Sequence, residues 1–211
     1  MGTGRLNALV DGVFAIAITL LVLELPKPVA ERGFARALVH AWPSYAAYVV
    51  AFATVGLIWI EHHGLSAAIE RVNRRLLELT LVFLLFVSVI PWPTSLAAEH
   101  LREGGEAART VAILFAGAMG LMGVSITLLW RYLSAHPELV APAARKALPA
   151  ATRRSLAGSL AYLAAIAAAA VSAYASFAVS AAIALYFALS RTSVPAAVIA
   201  AQAGTKAPRA E

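Results

Sequence analysis

Four apolar runs of bilayer length mark this chain, at about residues 8–25, 43–60, 76–98 and 109–133, and an Ala-rich stretch follows at about 156–190. A helix needs about 20 apolar residues to cross a hydrocarbon core of about 30 Å. In lipid every backbone polar group must be satisfied inside its own segment, so runs of this kind dictate an all-α integral membrane protein. Composition agrees, with 61% hydrophobic and 13% charged residues, against about 45–50% and about 25% in soluble domains.

The Ala-rich stretch decides the number of spans. One continuous helix over 156–190 would be about 50 Å long at 1.5 Å per residue, too long for the core. Two shorter helices turning near Ser172 to Ser176 fit better and predict six transmembrane helices per subunit, with both termini on one side. The basic residues orient the bundle. Of the 17 Lys and Arg, 12 fall on the side shared with the N-terminus, including Arg71, Arg74, Arg75, Arg145, Lys146, Arg153 and Arg154. That bias predicts cytoplasmic termini in the plasma membrane. It makes 1–191 one transmembrane domain, 134–154 a cytoplasmic linker and 192–211 a disordered tail.

Several classes fall away. The chain has no Cys, which excludes disulfides and thiolate chemistry. Its net charge of +6 does not point to nucleic acid, because the bases sit in short connections where topology explains them. No nucleophile elbow, P-loop, HExxH or dinucleotide fingerprint occurs, so no enzyme is expected. Arg5 before an apolar run resembles a signal peptide, but Asp11 and the exit Glu24-Leu25-Pro26-Lys27-Pro28 argue against cleavage.

The first helix is the most informative. Ile16, Leu20 and Leu23 stand at i, i+4 and i+7, within about 60° of one another on the helix surface. Such a stripe is either a packing face or the wall of a pore that closes by excluding water. Asp11 points about 140° away from Ile16, which suits a buried polar anchor better than an ion ligand. Glu24 sits at the outer end of the helix, either drawing cations to an entrance or marking the membrane boundary.

Trp59-Ile60-Glu61-His62-His63 closes the second run. Neighbouring His on a helix diverge by about 100° and no third ligand is evident, so no metal site is expected; a structural or pH-sensing role, with pairing to Asp11, fits better. The fragment Thr54-Val55-Gly56 begins like a potassium filter, but Leu57-Ile58 follow within an ordinary span. No P-loop selectivity filter is therefore expected. Arg71 to Leu96 begins with a basic head, bends at Pro91-Trp92-Pro93 and is expected to leave the outer leaflet at Pro93-Thr94.

Arg5 and Asp11-Gly12-Val13-Phe14-Ala15-Ile16, Trp59 with His62-His63, Arg74-Arg75-Leu76-Leu77 and Pro91-Trp92-Pro93-Thr94 together resemble the prokaryotic members of the transmembrane protein 175 family, relatives of the endolysosomal potassium channel. The resemblance covers roughly residues 5–96. The family's R-x-x-x-F-S-D signature keeps its ends here, with Leu9 and Val10 in place of Phe and Ser, and Thr80 stands where an Asn is expected.

The resemblance implies a homotetramer in which the first helix of each subunit lines a central pore. Ile16 would form the constriction, with Leu20 and Leu23 as further apolar rings and Thr19 supporting the neck through a backbone hydrogen bond. Arg5, Asp11, Trp59 and His62 or His63 would hold the first helix in place. Potassium and other monovalent cations would pass, with potassium weakly to moderately preferred over sodium and no cofactor needed. Two other classes remain open from the residues alone. A proton-coupled transporter would use Asp11, Glu24, Glu61 and Glu78, although no internal repeat is visible; a non-conducting scaffold would use the small residues of the last helices for close packing.

Overall fold

A computed structural model of the chain describes residues 3–27 and 33–190; the expected tail lies outside the described residues. The fold is all-α: α1 (Thr3–Leu23), α2 (Phe34–His40), α3 (Trp42–Ala67), α4 (Arg74–Val89), α5 (Pro91–His100), α6 (Gly105–Ala135), α7 (Leu148–Val171) and α8 (Ala173–Leu189). Among the described residues the extended pairing is a single bridge between Ile69 and Val140.

Among the described residues five helical bodies are long and apolar enough to cross a membrane: α1, α3, α4 with α5, α6, and the body running from Arg145 through α7. The shorter α8 has 17 residues. Contacts between distant residues give alternating directions. Asp11 of α1 meets Trp59 of α3, Ser44 of α3 meets Ala98 of α5, and Asn73 before α4 meets Tyr132 of α6. Thr127 of α6 meets Ser155 of α7, and Arg154 of α7 meets Ser190 after α8. In lipid, apolar contact between helices brings little hydrophobic gain, so small residues and cross-helix hydrogen bonds carry much of the association. Gly120 and Gly123 of α6 do this against Tyr162 and Ser159 of α7.

Local chemistry explains the boundaries. Asn73 caps α4, its side chain accepting from the Leu76 N–H at 2.9 Å. Pro91 interrupts the third span at Ile90 and opens α5, where its missing N–H is tolerated. The expected exit at Pro93-Thr94 is not where the helix leaves. α5 continues to His100, and buried Thr94 returns its hydroxyl to the Ile90 carbonyl at 2.9 Å. In the Ala-rich stretch Ser172 takes extended backbone, with φ −157 and ψ 135. Its carbonyl accepts from the Ser176 N–H, so the stretch is two helices turning at the place expected.

Three features differ from the sequence reading. The second span runs to Ala67, seven residues past its expected end. The short helix α2 precedes it. The segment read as a linker over 134–154 holds two short 3-10 turns, and α7 begins inside it at Leu148, with Pro149 in the first turn where proline is well tolerated. The stretch before α7 is docked on the α3–α4 turn, where the Leu139 carbonyl accepts from the Glu70 N–H at 2.9 Å and the Ala141 N–H donates to the Ala68 carbonyl at 3.0 Å.

Candidate pore-lining site

α1 has two apolar faces with different fates. Leu6, Val10, Phe14, Ala17 and Leu21 are buried against the rest of the subunit. About 110° around the helix, Ile16 (61% exposed), Leu20 (40%) and Leu23 (61%) are left exposed by the rest of the chain. Leu9 extends this second stripe. It is 44% exposed and, seven residues before Ile16, lies within about 20° of it. The i−7 spacing was the signal for Leu9 in the sequence. Thr19, beside the stripe, sends its hydroxyl back to the Ala15 and Ile16 carbonyls, both at 2.9 Å. Such back-bonding on a helix locks the threonine rotamer and ties the backbone at Ile16. Glu24 is half-buried just beyond the last turn of α1, its N–H bonded to the Leu21 carbonyl at 3.3 Å.

Beside this apolar packing, a polar and an aromatic contact link α1 to its neighbours. The polar one is Trp59 Nε1 of α3 donating to Asp11 Oδ1 at 3.0 Å. The aromatic one runs through three helices: buried His62 of α3 stacks on Phe83 of α4 with centroids 5.3 Å apart, and Phe83 packs on Phe14 of α1 at 5.7 Å. His62 thus turns inward, while exposed His63 lies beside Trp59 at 5.8 Å. Asp11 takes its hydrogen bond from Trp59 and not from either histidine. Arg5 is exposed and makes no hydrogen bond or ion pair with another described residue, so within one subunit it stands apart from this network. Thr80, where an Asn was expected, bonds the Leu76 carbonyl of its own helix at 2.8 Å.

The other carboxylates are engaged separately. Glu61 accepts from Trp130 Nε1 at 2.9 Å, and Glu78 takes Arg74 and Arg75 at 2.9 and 3.2 Å. Among the described residues no three His, Cys, Asp or Glu gather as a metal site. Thr54-Val55-Gly56 lies within α3. Their carbonyls therefore serve a continuous helix and not a filter, and the Thr54 hydroxyl bonds the Val50 carbonyl at 2.8 Å.

The chain is similar to known proteins over most of its length. Residues 5–91 fit the family model described as endosomal/lysosomal potassium channel TMEM175. A potassium channel of Streptomyces collinus is 41% identical over 92% of this chain and 95% of its own length. One from Chamaesiphon minutus is 35% identical over 89% of this chain and 94% of its own. The crystal structure of a lysosomal potassium-selective channel TMEM175 homologue from Chamaesiphon minutus superposes with a TM-score of 0.80 at 34% identity, over 89% of this chain and 96% of that one. These relatives are ion channels and not enzymes. An all-helical membrane bundle that shares its first three spans with that family model, and nearly its whole length with these channels, belongs to the TMEM175 family of potassium channels.

Proposed function

We propose that this chain forms a potassium-permeable cation channel whose neck is a ring of Ile16 side chains around the axis of a homotetramer. The observation that carries the reading is the uncovered stripe of Ile16, Leu20 and Leu23 on a helix whose other apolar face is packed. The exposed apolar face of a bilayer-length helix can lie against lipid, or against a partner and a lumen. Four copies of α1 facing one axis supply both: Leu9 at one end, Leu20 and Leu23 toward the other, and Ile16 between them. Glu24 lies at the outer mouth, where a carboxylate raises the local concentration of cations.

In such a neck a cation passes without polar ligands and sheds part of its water. Potassium holds its water less tightly than sodium and loses less, which gives a weak to moderate potassium preference. Closure is dewetting of the apolar ring, produced by a small tilt or rotation of α1. Trp59–Asp11 and His62–Phe83–Phe14 set that tilt. α8 serves as the sixth span: 17 residues reach about 25 Å, close to the core thickness. Both termini then lie on the cytoplasmic side of the plasma membrane, with residues 1–191 as the channel domain and 192–211 as its tail.

Liposomes carrying purified protein in a potassium gradient test this. The wild type is expected to pass potassium faster than sodium, and Ile16→Asn to pass both faster with the preference flattened. Unchanged permeability in Ile16→Asn removes the neck from Ile16. Flux that saturates at low ion concentration and follows a proton gradient makes the protein a carrier.

A further inference from the structure

We propose that the groove between α7 and α8 binds an anionic phospholipid, its phosphate on Arg154 and the first part of one acyl chain along Ala157, Ala161 and Ala182. The groove has a volume of about 480 Å³. It exists because small residues stand where larger ones would fill it, with Gly158, Val179 and Ile183 completing the wall. Phe187 forms its floor. The ring lies so close to Gly158 that a Cβ there would meet Phe187 Cζ at 2.6 Å, and it separates the groove from the small internal cavity that holds Glu61.

Arg154 closes one end and is held in place. Its Nη2 donates to the Ser190 carbonyl at 2.9 Å and to Ser190 Oγ at 3.3 Å, and its guanidinium carbon sits 5.3 Å over the Phe187 ring. A guanidinium has five N–H donors, so the N–H groups of Nη1 and Nε remain as single charge-assisted donors to a phosphate. Among the described residues no carboxylate lies within ion-pair distance of Arg154. Glu61, which shares its field, is engaged by Trp130. Exposed Arg153 adds a second positive charge beside it.

The dimensions fit a lipid. Arg154 and Ala161 are seven residues apart, about 10 Å along the axis, or roughly a third of the hydrocarbon core. A headgroup at the basic end therefore leaves its chain running inward along the alanines. Basic pockets between spans on the cytoplasmic side are where anionic headgroups bind. The inference rests on α7 and α8 crossing the bilayer; it does not require ion conduction.

The test is native mass spectrometry of the purified full chain titrated with phosphatidylglycerol or phosphatidylcholine of identical acyl chains. The wild type is expected to prefer phosphatidylglycerol. Arg154→Gln is expected to cut that preference about fivefold, the worth of one basic side chain near a membrane surface, with phosphatidylcholine binding unchanged. Ala182→Phe, at an exposed position, is expected to weaken both lipids and keep the preference. If Arg154→Gln does not fold, Ala182→Phe decides alone: lipid retention equal to wild type overturns the proposal. Equal binding of the two lipids by the wild type overturns it, as does inorganic phosphate displacing phosphatidylglycerol without regard to Ala182→Phe. A change of oligomeric state in Ala182→Phe with lipid binding intact also overturns it, since the groove is then covered by a second copy of the chain.

Discussion

Trp59 and Asp11 join α3 to the helix that carries the uncovered apolar stripe, through an indole N–H donated to a carboxylate at 3.0 Å. Asp11 faces about 140° away from Ile16, so the bond acts on the position of α1 and not on the apolar stripe itself. Trp59→Phe keeps the ring and removes the donor. A hydrogen bond to a charged acceptor contributes about 1.5–3 kcal/mol when well buried, and this one is exposed. The expected loss is about 1 kcal/mol, read as a lower midpoint in thermal unfolding. Liposome flux should change with it, because the tilt of α1 loses a restraint. Asp11→Asn retains an acceptor and should lose less than Trp59→Phe; the reverse order would place the importance of Asp11 elsewhere.

The stripe on α1 was legible in the sequence because a helix obeys a single period, and Ile16, Leu20 and Leu23 keep it. What that period could not settle is which apolar face is packed, since Leu6, Val10, Phe14, Ala17 and Leu21 keep it equally well. The choice between His62 and His63 was illegible for a related reason. It depends on Phe83 arriving from α4, a contact between helices that no local pattern encodes. The turn at Ser172 followed from bilayer thickness alone, whereas the early start of α7 at Leu148 did not, because Arg153 and Arg154 made its first two turns read as polar connection.

Thr19 bonds the Ala15 and Ile16 carbonyls, both at 2.9 Å. Thr19→Val preserves shape and removes both bonds. These are local and exposed, so stability should stay within about 0.5 kcal/mol of wild type. If the hydroxyl steadies the backbone at the neck, the potassium-to-sodium flux ratio should fall by a factor of a few, on the order of 1 kcal/mol or less. A ratio identical to wild type would leave Thr19 with a purely local role.

Asn73 does two things at once. Its Oδ1 caps α4 through the Leu76 N–H at 2.9 Å, and its Nδ2 donates to the Tyr132 hydroxyl at 2.9 Å. Asn73→Ala should lose about 1 kcal/mol for the cap and up to about 1 kcal/mol for the tyrosine contact. Asn73→Asp keeps the cap acceptor and can accept from the Tyr132 hydroxyl, so it should retain most of the stability. Comparing the two by thermal unfolding in one detergent separates capping from side-chain volume. Equal losses would mean that the cap contributes nothing here.

The glycines of α6 give opposite expectations along a single helix. A Cβ on Gly123 would lie 3.0 Å from Ser159 Oγ and 3.5 Å from Ser159 Cα. Ser159 cannot swing away freely, because its hydroxyl bonds the Ser155 carbonyl at 2.9 Å and contacts Thr127 at 3.1 Å. Gly123→Ala therefore trades a gain in helix propensity of about 1 kcal/mol against overpacking of about 1–3 kcal/mol, for a net loss of up to about 2 kcal/mol. A Cβ on Gly117 meets nothing within 4 Å in the subunit, so Gly117→Ala keeps the propensity gain and should stabilise by about 0.5–1 kcal/mol. Thermal unfolding of the two variants beside wild type checks both signs. Destabilisation by Gly117→Ala would mean that a second subunit packs against that face of α6, and loss of the oligomer in the same variant would locate the contact.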